Sequence, residues 1–471
     1  MREYAAIDLG ATSGRVFAGG LRDGRVELRE LCRFENRPVR LPDGLRWNLL
    51  HLFTEALAGL RMAGPLAGVG VDTWGVDYAL LDGRGRVLGL PFHYRDRRTN
   101  GMIERAFERV AADELYATTG IQTLPINTVF QLLADEGSAA LGAAERIALV
   151  PDLLALWLSG ELANERTNAS TTGLLDARSG DWAHEAIDRL GLPGRLFGPL
   201  VDPGTALGRA LGHHEIGEPT VYAVASHDTA SAFAAAPIAD GHAAVLSSGT
   251  WSLLGLEMPE PVLADSELTN ERGVDGTTRL LRNVMGMWLL EECRRAWGDV
   301  SYEELHRLAE AETGEAALFD PDDEALLAPG DMPARIAAAC GIDPAARGTT
   351  VRAILESLAC KYRWVLDRLE AVTGRDVRRI HVIGGGARNS LLCRLTADRT
   401  GREVLAGPVE ATALGNVLVQ ARAAGELGSL ADMRAVAGAS AEPDVYEPAG
   451  DDGTYARFLD VTGLQIEEKT P

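Results

Sequence analysis

The chain has 471 residues, 46% of them hydrophobic and 24% charged, with a formal net charge of −22. That length exceeds what one hydrophobic core serves and predicts two large domains of a soluble enzyme. The acidity excludes nucleic acid and anionic membrane surfaces as partners, because both require a basic footprint, while a local site for a small anion stays open.

Lys361 and Lys469 are the only lysines, and arginine supplies the remaining basic charge. The five cysteines, Cys32, Cys293, Cys340, Cys360 and Cys393, are widely spaced with no C-x-x-C, which predicts reduced thiols without disulfide or zinc. No apolar run reaches membrane-spanning length; the nearest, 229–256, is broken by Pro237 and Asp240. The chain starts on an apolar strand without a basic, then apolar, leader, so a cytoplasmic location is expected.

Taken in order, the first fifty residues predict a meander, with strands over 5–9 and 15–20 and a third in "GRVELRELCRF" after the Arg-Asp-Gly turn. "NLLHLFTEALAGLRMA" predicts a helix with Leu49, Leu50, Phe53, Ala56, Leu57 and Leu60 on its buried face. "LAGVGVDTWG" is a continuous apolar strand ending at Asp72, the pattern of a strand covered on both faces. Helices are expected near 102–112 and 126–136, then strand, turn and helix in "RIALVPDLLALWLSG". "TVYAVASHDTASAFAAAP" repeats the theme, with a strand ending at Ser226, His227 and Asp228 before a small-residue helix. A second beginning follows, "HAAVLSSGTWSLLGLE", and then long helices and a β-loop-α unit around "IGGGARNSLL". The pattern predicts an α/β chain of two related halves, joined near 236–241.

The two beginnings share one form: apolar strand, small-residue turn, apolar strand. Glycine with serine or threonine at a strand exit suggests phosphate, and several devices compete. A P-loop needs a lysine after its glycines, and neither lysine is so placed. A Rossmann turn needs G-x-G-x-x-G leading into a helix, whereas "GATSGR" has other spacing and leads into a strand. The glycine-rich loop of protein kinases fails likewise, without its partner lysine or its H-R-D and D-F-G signals. The remaining device is a hairpin turn whose N–H groups and hydroxyls wrap a phosphate, one turn from each half. Arg15 and a metal would then balance the phosphate charge, with Asp8 as an outer ligand to Mg²⁺. Taken alone, "GATSG" also reads as an ordinary hairpin turn.

Asp228 ends an apolar strand ahead of "TASAFAAA", so it reads equally as a general base or as a helix N-cap. His227 suits a substrate oxygen or a structural contact, and Trp74 offers either a ring face to a substrate or bulk to the core. Asp72 and Asp77 flank Trp74 at a strand exit, and Asp77 is a candidate hydroxyl acceptor. The run Arg95, Asp96, Arg97, Arg98 reads as a solvated loop. "FDPDDE" (319–324) lacks an EF-hand register and reads as an exposed acidic loop.

"IDLGATSGR", "DTWGVDYALLD", "YRDRRTNG", "ASHDTASA", "SSGTWSLLG", "NVMGMWLL", "IGGGARNSLL" and "GPVEATALGN" occur in order from residue 6 to about residue 416. As an ordered set they resemble the FGGY carbohydrate kinases. The resemblance implies an α/β, two-lobed actin-like ATPase (ribonuclease H-like) fold with an interdomain catalytic cleft. It implies an N-terminal domain over 1–238, with the sugar site, first phosphate loop and catalytic aspartate. The C-terminal domain, over 239–471, would carry the second phosphate loop and the adenosine site. The activity implied is ATP- and Mg²⁺-dependent phosphorylation of a ketose or polyol, by a monomer or homodimer whose partner is a small sugar and neither nucleic acid nor membrane. By matching motifs, Ala11, Thr12, Ser13, Gly14 and Arg15 would form the first phosphate loop, and Thr250 the centre of the second. Gly384, Gly385 and Gly386 would lie against the nucleotide, Asp228 would be the base, and Gly75, His227, Thr229 and Asn283 would contact the sugar. Arg95 would lie close to that sugar. This chain carries Glu291 where the family pattern leads one to expect glutamine at a nucleotide contact.

Overall fold

The computed structural model describes residues 2–238, 240–298 and 300–466, so Lys469 lies outside the described residues. The chain divides into two units that interleave in sequence. The first contains Met1–Pro237, Glu257–Leu280 and Ala411–Ser440, and the second contains Ile238–Leu256, Leu281–Glu410 and Ala441–Pro471.

In the first unit the predicted meander forms from β1 (Tyr4–Leu9), β2 (Ser13–Arg22) and β3 (Arg25–Glu35), each antiparallel to the next. Strand β4 (Gly68–Thr73) lies parallel to β1, and its residues, like those of β1, are all buried. Strands β5 (Thr205–Arg209) and β6 (Thr220–Ala223) complete the sheet, in the order β5-β6-β4-β1-β2-β3. Such continuous apolar runs belong to strands covered on both faces. Small side chains let the covering helices approach. A Cβ added at Gly70 of β4 would lie 2.7 Å from Asn416 Oδ1, and one at Gly415 would lie 1.8 Å from the Ser231 carbonyl oxygen. Both contacts involve the helix Ala411–Ala423, which therefore packs on β4 and on the helix Asp228–Ala235. The helix Leu49–Arg61 departs from the expected face: Leu52 is 1% exposed and Leu50 is 62% exposed. A 3.6-residue repeat started at Leu49 runs through Leu52, Ala56 and Leu60, and it carries Leu50 away from the sheet.

The second unit repeats the order. Strands β7 (Ala243–Ser248) and β8 (Trp251–Met258) are antiparallel, and β9 (Thr278–Met285) neighbours β8. On the other side of β7 lie β10 (Arg379–Ile383) and β11 (Glu403–Ala406), both parallel, and then the antiparallel edge β12 (Asp444–Tyr446). The likeness of the two turns thus extends to sheet topology, a three-strand run, two parallel strands and one antiparallel edge, to which the second sheet adds a seventh strand, Thr269–Arg272, beside β9. The 27-residue helix Arg347–Thr373 packs against the helices Tyr302–Ala311 and Ser390–Thr400.

The acidic loop is not simply exposed. Asp320 and Asp322 receive the buried ammonium of Lys361 at 2.8 and 3.3 Å, and Asp322 Oδ1 accepts from the backbone N–H of Met285 at 2.8 Å. A lysine taken out of water needs such partners, and they pull the first half of the loop inward. All five cysteines are free thiols, and among the described residues no helix is long and apolar enough to cross a membrane.

Candidate functional site

In the first hairpin β1 and β2 end at the register pair Leu9 and Gly14. The N–H of Gly10 donates across the turn to the carbonyl of Ser13 at 2.9 Å. Asn36, buried at the end of β3, donates from Nδ2 to the Gly10 carbonyl at 2.8 Å and from its backbone N–H to the Thr12 carbonyl at 3.0 Å. With its carbonyls tied down, the turn of Ala11, Thr12, Ser13 and Gly14 presents N–H edges, the polarity an anion requires. Asp8 and Arg15 face each other across the hairpin, and Arg15 Nη2 donates to Asp8 Oδ2 at 2.5 Å.

The second hairpin repeats this device within its own unit. The N–H of Gly249 donates to the Trp251 carbonyl at 2.8 Å. The carbonyls of Gly249 and Thr250 accept from the N–H groups of Met287 and Trp288 at 3.0 and 3.1 Å. Gly384, at φ +82° and ψ −167°, holds a conformation reserved for glycine, and a Cβ there would lie 3.0 Å from the Ser248 carbonyl. A Cβ at Gly386 would come within 2.0 Å of Ser248 Oγ, so the glycine run packs directly on the end of β7, with Gly385 exposed. Glu291, on the helix Trp288–Ala296, accepts from Arg294 Nη1 at 3.2 Å and from Tyr302 Oη at 2.6 Å. Asn283 lies half-buried on β9.

Carboxylates gather at the strand ends of the first unit. Asp8 and Asp72 are register partners on β1 and β4. Asp72 is fully buried, and its Oδ2 accepts from Asn416 Nδ2 at 2.5 Å. Burial, with the charges of Asp8 and Asp228 nearby, pushes Asp72 well above the usual carboxylate range. The helix after β6 begins at Asp228 with His227 in the N-cap position, so Asp228 is its first residue and not its cap. Asp228 Oδ1 accepts from Thr229 N at 2.5 Å and from Thr229 Oγ1 at 3.1 Å, and His227 Nε2 stands 3.5 Å away. Among buried neighbours the Asp228 side chain is 28% exposed, and burial raises its pKa although His227 opposes the rise. The peptide before it is fixed by Glu165, whose Oε2 accepts from Ser226 N at 3.0 Å and Ser226 Oγ at 2.6 Å. Thr167 Oγ1 receives the His227 N–H at 3.3 Å. Neither Asn36 nor Glu165 stood out in the sequence, because each acts on a turn or strand end remote in the chain. Among the described residues no three histidine, cysteine or acidic side chains are grouped to hold a metal by themselves.

The turn after β4 corrects one expectation. Asp77 is 1% exposed, and both oxygens are occupied: Oδ2 accepts from Trp47 Nε1 at 2.5 Å, Trp74 Nε1 at 3.0 Å and Tyr94 N at 3.2 Å, and Oδ1 accepts from Gln131 Nε2 at 2.8 Å. It is therefore an anchor for two tryptophans and not an open acceptor for a sugar hydroxyl. Its pKa, pushed up by burial against these donors, rises to about 6. Trp74 stacks at 4.0 Å on Trp47, which in turn lies 4.1 Å from His93, and this places it in a packed aromatic group. Next to Trp74, Gly75 sits under Thr171, where a Cβ would lie 2.8 Å from Oγ1. Val76 takes φ +69°, a conformation that costs a β-branched residue and marks local strain. The charged run 95–98 is only partly solvated. Arg98 donates to Asp135 Oδ1 at 2.7 Å, and Asp96 Oδ2 accepts from Leu45 N at 2.6 Å, which leaves Arg97 exposed and Arg95 half-buried.

Two family models match the chain: the N-terminal domain of the FGGY family of carbohydrate kinases over residues 46–233, and its C-terminal domain over residues 244–424. The chain is 42% identical to a rhamnulokinase of Bacteroides thetaiotaomicron over 480 residues, covering 97% of this chain and 99% of that protein. It is 39% identical to a rhamnulokinase of Enterococcus faecalis, covering 98% of each. Among solved structures it resembles the gluconate kinase of Lactobacillus acidophilus, with a TM-score of 0.79 and 16% identity over 98% of this chain and 96% of that one. That likeness, shared with other sugar kinases, establishes the actin-like fold implied by the motifs.

The Asp77 assignment predicts the behaviour of Asp77→Asn. One oxygen becomes an amide that faces donors, so the variant should lose about 1–3 kcal/mol of stability and show a lowered thermal midpoint. An unchanged midpoint would contradict the anchoring role.

Proposed function

The chain belongs to the FGGY family of carbohydrate kinases, and on that premise we propose that it uses ATP to convert L-rhamnulose to L-rhamnulose 1-phosphate. The observation that carries this reading is the near-full-length likeness to rhamnulokinases at 42% and 39% identity. The reading makes it an enzyme of carbohydrate metabolism acting in the cytoplasm as a monomer or homodimer.

Phosphoryl transfer to an alcohol passes through a loose transition state, so catalysis rests on positioning and charge neutralisation. We assign Asp228 as the base. Its Oδ1 is already held by Thr229 and faces His227, so Oδ2 takes the proton of the sugar hydroxyl. The hydroxyl oxygen forms the new bond to the γ-phosphorus, the old P–O bond breaks, and its electron pair leaves on ADP. Asp228 then returns the proton to solvent. His227, Thr229, Gly75 and Asn283 are assigned to the sugar. The hairpin amides of Ala11, Thr12, Ser13 and Gly14, with Arg15 and Thr250, are assigned to the phosphates, and Gly384, Gly385 and Gly386 to the adenosine. Glu291 is assigned to the nucleotide, and its charge is met by Arg294. Magnesium, when bound, neutralises phosphate charge. Asp8, whose Oδ2 meets Arg15, would be the carboxylate that helps hold it, which suits a cation that draws most of its ligands from phosphate and solvent.

A coupled assay of ADP release tests the reading across L-rhamnulose, L-fuculose, L-ribulose, L-xylulose and glycerol. L-Rhamnulose should give the highest kcat/KM. Preference for another sugar would move the specificity within the family, and no response to any sugar would overturn the kinase reading. Asp228→Asn should keep its thermal midpoint and its affinity for sugar while kcat falls by about 10²–10⁴-fold. A near-normal kcat would remove Asp228 as the base.

A further inference from the structure

The segment 257–280 follows the second hairpin in sequence but folds with the first unit, where it meets the residue next to the base. Glu271 lies on the strand Thr269–Arg272 and Arg279 on β9. Both side chains are buried, Arg279 completely, and their charged ends stand 3.0 Å apart. Arg279 Nη2 is 3.1 Å from His227 Nδ1 with the geometry of a hydrogen bond, and Glu271 Oε2 is 3.2 Å from the same nitrogen. Burial pushes the Glu271 carboxyl up, and the Arg279 guanidinium beside it leads the groups that draw it back below the usual glutamate range. The opposite ring nitrogen, Nε2, faces Asp228 Oδ1 at 3.5 Å.

A buried ion pair contributes little to stability compared with apolar residues of similar size, so its place against a histidine ring calls for another account. Guanidinium has donors and no acceptor. Where it meets Nδ1 with hydrogen-bond geometry, that nitrogen presents its lone pair; Glu271 Oε2, though 3.2 Å from Nδ1, receives no hydrogen bond from it, so the ring proton resides on Nε2. We propose that Arg279, held in place by Glu271, is a positioning residue that fixes the Nε2–H form of His227, whose N–H steadies Asp228 Oδ1 and leaves Oδ2 to the substrate. Arg279 also donates from Nε to the Arg272 carbonyl at 3.1 Å, which fixes the guanidinium plane. This inference rests on the reading of Asp228 as the base.

The test has two readouts. Nitrogen-15 NMR of the histidine rings, with His227→Gln to identify the signal, should show His227 protonated on Nε2 and bare on Nδ1 in the wild-type protein. Arg279→Met should lose that single form, and its kcat should fall about 10–100-fold, about 1.4 kcal/mol per factor of ten, a larger change than the rise in KM for sugar that follows from loosening the His227 ring. Arg279→Lys, which keeps a donor and a charge, should restore part of the loss. Should Arg279→Met fail to fold, Glu271→Gln takes its place: it removes the carboxylate charge that holds the guanidinium, so the single Nε2–H form of His227 should be partly lost and kcat should fall by a smaller factor. A wild-type His227 protonated on Nδ1 would overturn the proposal. So would variants that turn over normally while Asp228→Asn does not, an outcome that spares the base. Normal turnover by Asp228→Asn would remove the base itself.

Discussion

The first unit depends on keeping several carboxylates out of bulk water. A carboxylate in that position is tolerated only when donors meet it, and each one here has its own. Arg15 serves Asp8, Asn416 serves Asp72, Thr229 serves Asp228, Ser226 and Thr167 serve Glu165, and Arg279 serves Glu271. These donors come from segments far apart in the chain. The fold of this unit can be read as the arrangement that brings them together, which explains why the segments 257–280 and 411–440 join residues from the first half.

The two hairpins solve a different problem, the presentation of amide hydrogens without a lysine. In each, the first glycine of the turn donates across it, and the turn carbonyls are claimed by other groups. Asn36 does this work in the first unit, and the backbone at Met287 and Trp288 does it in the second. The one described lysine is itself buried against Asp320 and Asp322, so the proposed phosphate contacts fall to backbone amides and Arg15.

What the sequence made legible was local. The strand–turn–strand form at Asp8 and at Ser248, the buried run up to Asp72, and the small-residue helix after His227 follow from periodicity and glycine placement, and all are present. What it hid was pairing at long range. Asp77 looked like a free acceptor because nothing nearby in the chain announces Trp47, Tyr94 and Gln131 as its donors. The acidic run at 319–324 looked solvated because its lysine lies about a helix away, at position 361. Leu50 failed for a simpler reason: six apolar positions make a stripe wider than the face a single sheet covers.

Asp228, the proposed base, has its carboxyl raised by burial at the strand end. A base must be ionised to accept a proton, so activity should be lost as pH falls through that raised pKa. The direct measurement is kcat/KM for the sugar against pH at saturating ATP, within the range where the protein stays folded. The account predicts a single acid limb lying above the ordinary aspartate value of about 3.9. A profile that stays level down to that value would contradict it.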